Sequence, residues 1–119
     1  MARIMVVDDA AFMRTVLKKI LTEAGHEVVS EANDGVDAIV KYAECHPDLV
    51  TMDITMPNMD GVQALKAIRT TDGNARVIMC SAMGQESLVV EAISNGARDF
   101  VAKPFEATRV VQAVAKALS

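Results

Sequence analysis

The chain has 119 residues, of which 51% are hydrophobic and 24% are charged, and its formal net charge is −4. This length and composition are typical of one globular domain with a buried core, and they exclude a largely disordered chain. The basic residues are scattered along the chain, which argues against nucleic acid as the main partner, because phosphate backbones select clustered positive charge.

Targeting and cysteine patterns point to the cytoplasm. No apolar run approaches the roughly 18 residues of a membrane span, and no signal-peptide pattern is present. Two cysteines, Cys45 and Cys80, are too few for a disulfide framework. The histidines His26 and His46 lie in predicted turns and are expected to be solvated. We therefore expect a cytoplasmic protein that binds neither nucleic acid nor membrane.

Short apolar runs alternate with segments of helical periodicity along the whole chain. The predicted strands are Arg3–Val7, Glu27–Ala32, 48–52, 76–80 and Asp99–Ala102. The apolar positions of the five predicted helices are Phe12, Met13, Val16, Leu17, Ile20, Leu21 and Ala24; Val36, Ile39, Val40 and Ala43; Val62, Leu65 and Ile68; Val89, Ala92 and Ile93; and Val110, Val111 and Val114. Residues that favour helix boundaries stand between the segments, namely Gly25, Asp34, Pro47, Gly61 and Gly96.

This alternation predicts an α/β fold, a doubly wound five-stranded parallel sheet with five helices. Right-handed crossovers between parallel strands place the helices on both faces of the sheet. If strand two is the edge beside strand one, the strand order is 2-1-3-4-5, and the order reverses between strands one and three. Ligands bind beyond the carboxyl ends of the strands at such a reversal, so we expect the functional site there.

Polar side chains follow four of the five predicted strands. Asp8 and Asp9 follow the first strand, Asp53 the third, Ser81 the fourth and Lys103 the fifth. A carboxylate at the end of a buried strand is costly unless it is paired, metal-bound or exposed in a crevice. Clustered carboxylates take up protons unless a cation is present, and oxygen-only ligands suit Mg²⁺.

A carboxylate bound to a metal and facing a lysine and a hydroxyl can accept a phosphoryl group. Asp53 is then the nucleophile, while the metal and Lys103 cover the charge on the phosphoryl oxygens. No nucleotide-binding loop or acid–base catalyst is recognisable, so the phosphoryl donor is expected to be activated already.

Four motifs resemble those of the receiver domains of two-component response regulators. They are Val6-Val7-Asp8-Asp9, the segment 52–61 (MDITMPNMDG), Ser81-Ala82 and Lys103-Pro104-Phe105. The resemblance extends over residues 1–119 and is strongest to the single-domain chemotaxis regulators of the CheY type, so no output domain is expected. It implies the flavodoxin-like (βα)5 fold, and CheY is itself a known example of the order 2-1-3-4-5.

The resemblance implies a metal site and a phosphorylation site that share Asp53. Asp53 is expected to be phosphorylated by a phosphohistidine on a sensor kinase. Asp9 and Asp53 would ligate Mg²⁺ directly together with the backbone carbonyl of Thr55, and Asp8 would hold a water beside the metal. Mn²⁺ or Ca²⁺ can take the place of Mg²⁺ in such a site.

The resemblance also implies a switch. Lys103 would pair with the phosphoryl group and form a cis bond to Pro104. Ser81 would turn its hydroxyl to a phosphoryl oxygen, and Phe100 would rotate into the space that Ser81 vacates. In the best-known chemotaxis regulators a tyrosine occupies the place of Phe100, so no ring hydroxyl is available here.

The function implied is that of a monomeric signalling protein, which catalyses only its own phosphorylation and slow dephosphorylation. Helix four, strand five and helix five, about 85–118, would form the face that binds a flagellar motor switch protein or adaptor. A CheA-like sensor histidine kinase and a CheC- or CheX-type phosphatase are the other expected partners. Met56, Met59 and Met83 flank the site and are candidates for a partner surface.

Several alternatives remain open from the sequence. Asp8 is a common helix-capping residue type, and Phe100 is compatible with plain core packing. The chain could act as a phosphorelay intermediate or as the receiver module of a longer regulator. An aspartyl phosphatase of the haloacid dehalogenase type needs a second carboxylate where Thr55 stands, and in a flavodoxin-like cofactor protein the Asp8-Asp9 pair would repel the cofactor phosphate.

Overall fold

A computed structural model describes residues 1–119 and contains five strands and five helices in strict alternation. The strands are β1 (Arg3–Val7), β2 (Glu27–Ala32), β3 (Leu49–Asp53), β4 (Val77–Ser81) and β5 (Asp99–Ala102). The helices are α1 (Ala11–Glu23), α2 (Gly35–Cys45), α3 (Gly61–Thr71), α4 (Glu86–Ser94) and α5 (Ala107–Leu118). All strand pairs are parallel and the order is β2-β1-β3-β4-β5, which confirms the predicted doubly wound α/β fold. None of the helices combines the length and the apolar character needed to cross a membrane.

The sheet separates two hydrophobic cores. Every residue of the central strands β3 and β4 is buried. One core lies between the sheet and the helices α2, α3 and α4, and the other lies between the sheet and α1 and α5. Each fully buried large apolar side chain contributes about 1.5–3 kcal/mol to folding, so the strand ends project from a well-packed platform.

Two strand boundaries differ from the predicted ones. β3 includes Asp53 as its last residue, and β4 runs from Val77 to Ser81, so the predicted range 76–80 was shifted by one residue. The ladder continues past the apolar run because Asp53 pairs with Cys80 and Ser81 pairs with Ala102. Asp53 and Ser81 are therefore held by the sheet itself.

The predicted inward faces were correct for α3 and α5 and partly wrong elsewhere. Val62, Leu65, Ile68, Val110 and Val114 are buried, and Val111 is half-buried. The predicted inward positions that are exposed are Phe12, Ala24, Val36, Val40, Ala43 and Ile93. A helical period locates an apolar stripe but does not say which flank of that stripe meets the sheet.

The error in α2 has a local cause. This helix buries Gly35 and Ala38, while Val36 and Val40 are 48% and 52% exposed. The small residues allow the helix to approach the loop after β3, because a Cβ at Gly35 would collide with the backbone and side chain of Met59. Close approach of the backbones therefore decided the orientation of α2 in place of the valine positions.

The turn after β3 is fixed by backbone contacts. The N–H of Gly61 donates to the carbonyl of Ile54 at 2.7 Å, and a Cβ at this position would collide with the backbone carbonyl oxygen of Asp53. Asp60 caps α3 by accepting the N–H of Gln63 at 2.8 Å, and its own N–H donates to Gln63 Oε1 at 3.1 Å. α3 thus begins in direct contact with the end of β3.

Substituting Gly61 by Ala is expected to lower the free energy of unfolding by about 3 kcal/mol, because the added methyl group displaces the backbone at Asp53. The matched control is Gly73→Ala, where no atom lies within 4 Å of an added Cβ; its effect should stay within about 1 kcal/mol. Urea unfolding of the two variants measures the difference. Equal effects would show that the close approach at Gly61 carries no strain.

The prediction that His26 is solvated was wrong. It is half-buried, and its Nδ1 accepts the backbone N–H of Ala2 at 3.0 Å. Burial and the nearby N-terminal ammonium hold the pKa of His26 below its usual value. The neutral imidazole therefore closes the turn between α1 and β2 against the start of β1.

The free energy of unfolding is expected to fall as His26 titrates. Because the folded pKa is depressed, the unfolded chain binds the proton first, so stability is lost as the pH falls through about 6.5 and the loss ends below the folded pKa. The variant His26→Asn keeps a side-chain acceptor for Ala2 but does not titrate. The difference in free energy of unfolding between the two proteins should therefore change between about pH 7.5 and pH 5.5; a constant difference would contradict the assignment.

Candidate functional site

The carboxyl ends of β1, β3, β4 and β5 meet at one edge of the sheet. Asp8 directly follows β1, and Asp53 ends the neighbouring strand β3. The backbone N–H of Lys103 donates to the carbonyl of Ser81 at 2.8 Å, which holds the residue after β5 against the end of β4. The parallel sheet thus brings together the polar residues that the sequence separates by up to 95 positions (103 − 8).

Three carboxylates form the centre of this edge. Asp8, Asp9 and Asp53 each provide a carboxylate oxygen, and these oxygens all lie within 4.8 Å of one another. Asp8 and Asp53 are 1% and 5% exposed, whereas Asp9 is exposed. Asp8 does not cap α1, whose N-cap residue is Ala10 and lacks a side-chain cap; instead Asp8 Oδ1 accepts the N–H of Ala10 at 2.9 Å.

Lys103 is the cation of the site. Its Nζ donates to Asp53 Oδ1 at 3.0 Å and lies 2.9 Å from Asp8 Oδ2. The second contact is close enough for an ion pair but lacks hydrogen-bond geometry, so Asp8 Oδ2 is a buried oxygen that accepts no hydrogen bond. The Lys103–Pro104 peptide bond is cis, as the resemblance implies.

The pKa values of Asp53 and Lys103 reflect burial together with an excess of negative charge. Burial raises the pKa of Asp53 to about 6, with repulsion from Asp8 and Asp9 in the same direction, although the hydrogen bond from Lys103 opposes both. Burial alone would lower the pKa of Lys103, but its contacts with Asp8 and Asp53 outweigh burial and raise it. One ammonium does not compensate three carboxylates.

The residues fit a hard divalent cation. The potential ligands are oxygens only, and Asp8 Oδ2, which accepts no hydrogen bond, and the exposed carboxylate of Asp9 leave capacity for a further positive charge. The backbone carbonyl of Thr55 accepts no backbone hydrogen bond and is available as well. Mg²⁺ takes oxygen ligands and keeps several waters, which suits a site with one open side.

Ser81 lies at the strand edge that carries this cluster, and Phe100 lies on β5 opposite Met79 of β4. Ser81 is 6% exposed at the end of β4, and Phe100 is 40% exposed on β5. Both line a cavity of about 480 Å³ between α4 and β5, together with Val89, Val90 and Lys103. The ring of Phe100 is therefore not plain core, and an open volume separates its present place from the site.

Thr55 is where sequence reasoning missed a contact. Its hydroxyl accepts a hydrogen bond from Gln85 Nε2 at 2.6 Å. The side chain of Gln85 also accepts the backbone N–H of Ala82 at 2.7 Å. No sequence signal marks Gln85, because a polar residue before a helix reads as an ordinary boundary residue.

The three methionines near the site differ in exposure. Met56 is 8% exposed and belongs to the core, Met59 is half-buried against the same core, and Met83 is 96% exposed. Only Met83 is placed to contribute a large apolar surface to a partner.

Comparison with known proteins places this chain in a family. The family model described as the response regulator receiver domain matches residues 4–115, and the chain therefore belongs to the response regulator receiver domain family. It is 60% identical over 117 residues to the chemotaxis protein CheY of Bacillus subtilis, with 98% of each chain covered. It is 57% identical over 114 residues to the chemotaxis protein CheY of Thermotoga maritima, with 96% of this chain and 95% of the relative covered.

Solved structures agree with the sequence relatives. The crystal structure of the CheX–CheY–BeF₃–Mg²⁺ complex from Borrelia burgdorferi contains a chain that matches with a TM-score of 0.94 at 40% identity, over 98% of this chain and 89% of that chain. The protein is thus a receiver domain homologous to CheY, a signalling protein, and the predicted resemblance is confirmed.

Asp53→Asn is expected to raise the melting temperature of the protein at pH 7 in EDTA by a few degrees. The substitution removes a buried, repelled carboxylate, whose raised pKa shows that the folded state disfavours its ionised form. Adding Mg²⁺ should then raise the melting temperature of the wild type but not of the variant.

The control for this experiment is Asp72→Asn. The hydroxyl of Tyr42 donates to Asp72 at 2.7 Å and holds the pKa of that carboxyl below its usual value, so this substitution should lower the melting temperature in EDTA. A destabilised Asp53→Asn variant, or one that responds to Mg²⁺ like the wild type, would contradict the charge assignment.

Proposed function

We propose that the protein is a phosphorylation-activated switch in which Asp53 accepts a phosphoryl group from the phosphohistidine of a sensor histidine kinase in a Mg²⁺-dependent reaction. The observation that carries this proposal is the buried Asp53 carboxylate with Lys103 Nζ at 3.0 Å and the oxygens of Asp8 and Asp9 within 4.8 Å. The Asp53 carboxylate can serve as the nucleophile, while Lys103 and a bound Mg²⁺ would balance the negative charge that the phosphoryl group adds.

The transfer needs one bond made and one broken. An Asp53 carboxylate oxygen forms a bond to phosphorus as the phosphorus–nitrogen bond of phosphohistidine breaks and the imidazole leaves with the electron pair. Asp9, Asp53 and the Thr55 carbonyl would hold Mg²⁺, with Asp8 behind them. The bound metal would supply positive charge to the phosphoryl oxygens during the transfer.

Lys103 and Ser81 respond to the new group. Once Asp53 carries the phosphoryl group, Lys103 Nζ pairs with a phosphoryl oxygen, which carries more negative charge than the carboxylate it replaces. The hydroxyl of Ser81 turns toward another phosphoryl oxygen. Phe100 then moves into the cavity that it shares with Ser81, and the surface between α4 and β5 changes shape.

This chemistry describes a signalling protein rather than a metabolic enzyme. The only turnover is phosphorylation of Asp53 and slow hydrolysis of the acyl phosphate. An aspartyl phosphatase would carry a general acid at position 55, and Thr55 has a hydroxyl that is already bonded to Gln85. That rival function is therefore disfavoured by the residue type and by its contact.

We infer the partners of the protein from the relatives to which its chain is similar. We assign the input to a CheA-like kinase and the output to a flagellar motor switch protein or adaptor that binds the α4–β5–α5 face in the cytoplasm. The similarity to CheY proteins over 98% of the chain supports the kinase and the motor protein as partners. The similarity to a chain of the CheX–CheY complex supports a CheX-type phosphatase as the third partner. The exposed Met83 and Val90 border the cavity on that face.

Incubation with acetyl phosphate and Mg²⁺ should give one labile phosphoryl adduct by intact mass. The adduct should be absent from Asp53→Asn and after EDTA treatment, because both remove the acceptor or its charge compensation. Asp48→Asn, at the opposite end of β3, should still form it. An adduct that survives in Asp53→Asn, or none on the wild type, would overturn the proposal.

The role of Phe100 has a separate test. The ring resonances of Phe100 should shift on phosphorylation by more than those of Phe12, which lies on α1 and serves as the internal control. Selective labelling of the three phenylalanines makes the comparison possible by NMR. Unchanged Phe100 resonances in a protein that is phosphorylated would make it a static surface residue.

A further inference from the structure

Gln85 joins the two loops that flank Asp53. Its Nε2 donates to Thr55 Oγ1 at 2.6 Å, and its Oε1 accepts the backbone N–H of Ala82 at 2.7 Å. Thr55 lies two residues beyond Asp53, and Ala82 lies one residue beyond Ser81. A single amide therefore ties the loop after β3 to the loop after β4.

The amide has one orientation that satisfies both contacts. The N–H of Ala82 requires an acceptor, which only the carbonyl oxygen of the Gln85 side chain provides, and the NH₂ group then faces the hydroxyl of Thr55. Gln85 is also the N-cap residue of α4, yet its side chain makes no capping hydrogen bond. Its hydrogen-bonding capacity is used on the loops around the site.

These bonds act on Ser81 through the backbone. The N–H of Ala82 belongs to the peptide group that begins with the Ser81 carbonyl, and that carbonyl accepts the N–H of Lys103 at 2.8 Å. The peptide is thus held on one side by Gln85 and on the other by Lys103. A movement of Ser81 toward a phosphoryl group on Asp53 would draw the Ala82 N–H away from Gln85.

We propose that Gln85 is a positioning residue that stabilises the unphosphorylated position of the Ser81–Ala82 peptide and so opposes phosphorylation. This inference rests on the proposed function, since it requires that Ser81 moves when Asp53 is modified. A phosphoryl group must compete with the bonds of Gln85, so their strength sets how much of the protein adopts the active form. The side chain of Gln85 forms hydrogen bonds with Ala82 and Thr55 and none with Asp53 or Lys103, so it acts through Ala82 and Thr55.

The probe is beryllofluoride with saturating Mg²⁺, which mimics a phosphoryl group and is not hydrolysed. Gln85→Ala should bind it with an apparent Kd about two- to tenfold lower than the wild type, the range that corresponds to one ordinary hydrogen bond. Since the chain has no tryptophan, a titration followed by amide NMR is suitable, and it also reports the signal of Ala82.

A second variant and a matched control distinguish positioning from folding. Gln85→Glu keeps an oxygen for Ala82 but cannot donate to Thr55 when ionised, so its Kd should fall less than that of Gln85→Ala. Gln63→Ala also loses an amide that accepts a backbone N–H, that of Asp60 at 3.1 Å, but in the cap of α3. It should lower the melting temperature and leave the Kd unchanged.

The outcomes separate the inference from the proposed function. If the wild type binds beryllofluoride and Gln85→Ala binds it no more tightly, or more weakly, Gln85 is structural and the inference is wrong. If the wild type itself binds no beryllofluoride in the presence of Mg²⁺, the proposed function is wrong. A lower Kd for both Gln85 variants, with Gln63→Ala unchanged, supports the positioning role.

Discussion

The site depends on the burial and mutual repulsion of carboxylates that the sheet forces together. Asp8 and Asp53 are buried at the ends of adjacent strands, and Asp9 stands beside them. Burial raises the pKa of Asp53 to about 6, repulsion from Asp8 and Asp9 acts in the same direction, and Lys103 compensates only part of the charge. A divalent cation would relieve the imbalance by adding positive charge, whereas a phosphoryl group on Asp53 would add negative charge, which Lys103 and the bound cation would have to balance. The parallel sheet holds the carboxylates at adjacent strand ends and so maintains this imbalance of charge.

Few residues separate Asp53 from the α4–β5 surface that the proposed switch would change. Ser81 ends the strand next to Asp53, and the cavity beside it reaches Phe100 on the edge strand β5. Gln85 connects the same loop to Thr55 and lies directly before α4. In the proposed function, phosphorylation of Asp53 would act on the beginning of α4 through a short path of hydrogen bonds and an open volume, so a rigid core could support a two-state surface.

Sequence reasoning predicted the fold and the clustered residues because both follow from strong patterns. Apolar runs that end in Asp8, Asp53 and Lys103 fix which side chains meet once the strands are parallel. The predicted end of β4 was wrong by one residue because Ser81 belongs to the strand through its ladder pairing and not through hydrophobicity. The α2 face was wrong because backbone approach at Gly35 outweighed two valines, and Gln85 was missed because its partners are backbone and hydroxyl groups 3 and 30 residues away.

The most direct measurement is the pKa of the Asp53 carboxyl group, followed by carbon-13 NMR in the absence and presence of Mg²⁺. The account predicts a value near 6 without metal, because burial and the neighbouring carboxylates disfavour ionisation, and a marked fall when Mg²⁺ is added. An Asp53 that titrates near the ordinary value of 3.8 and does not respond to Mg²⁺ would contradict the claim that the site is organised by uncompensated negative charge.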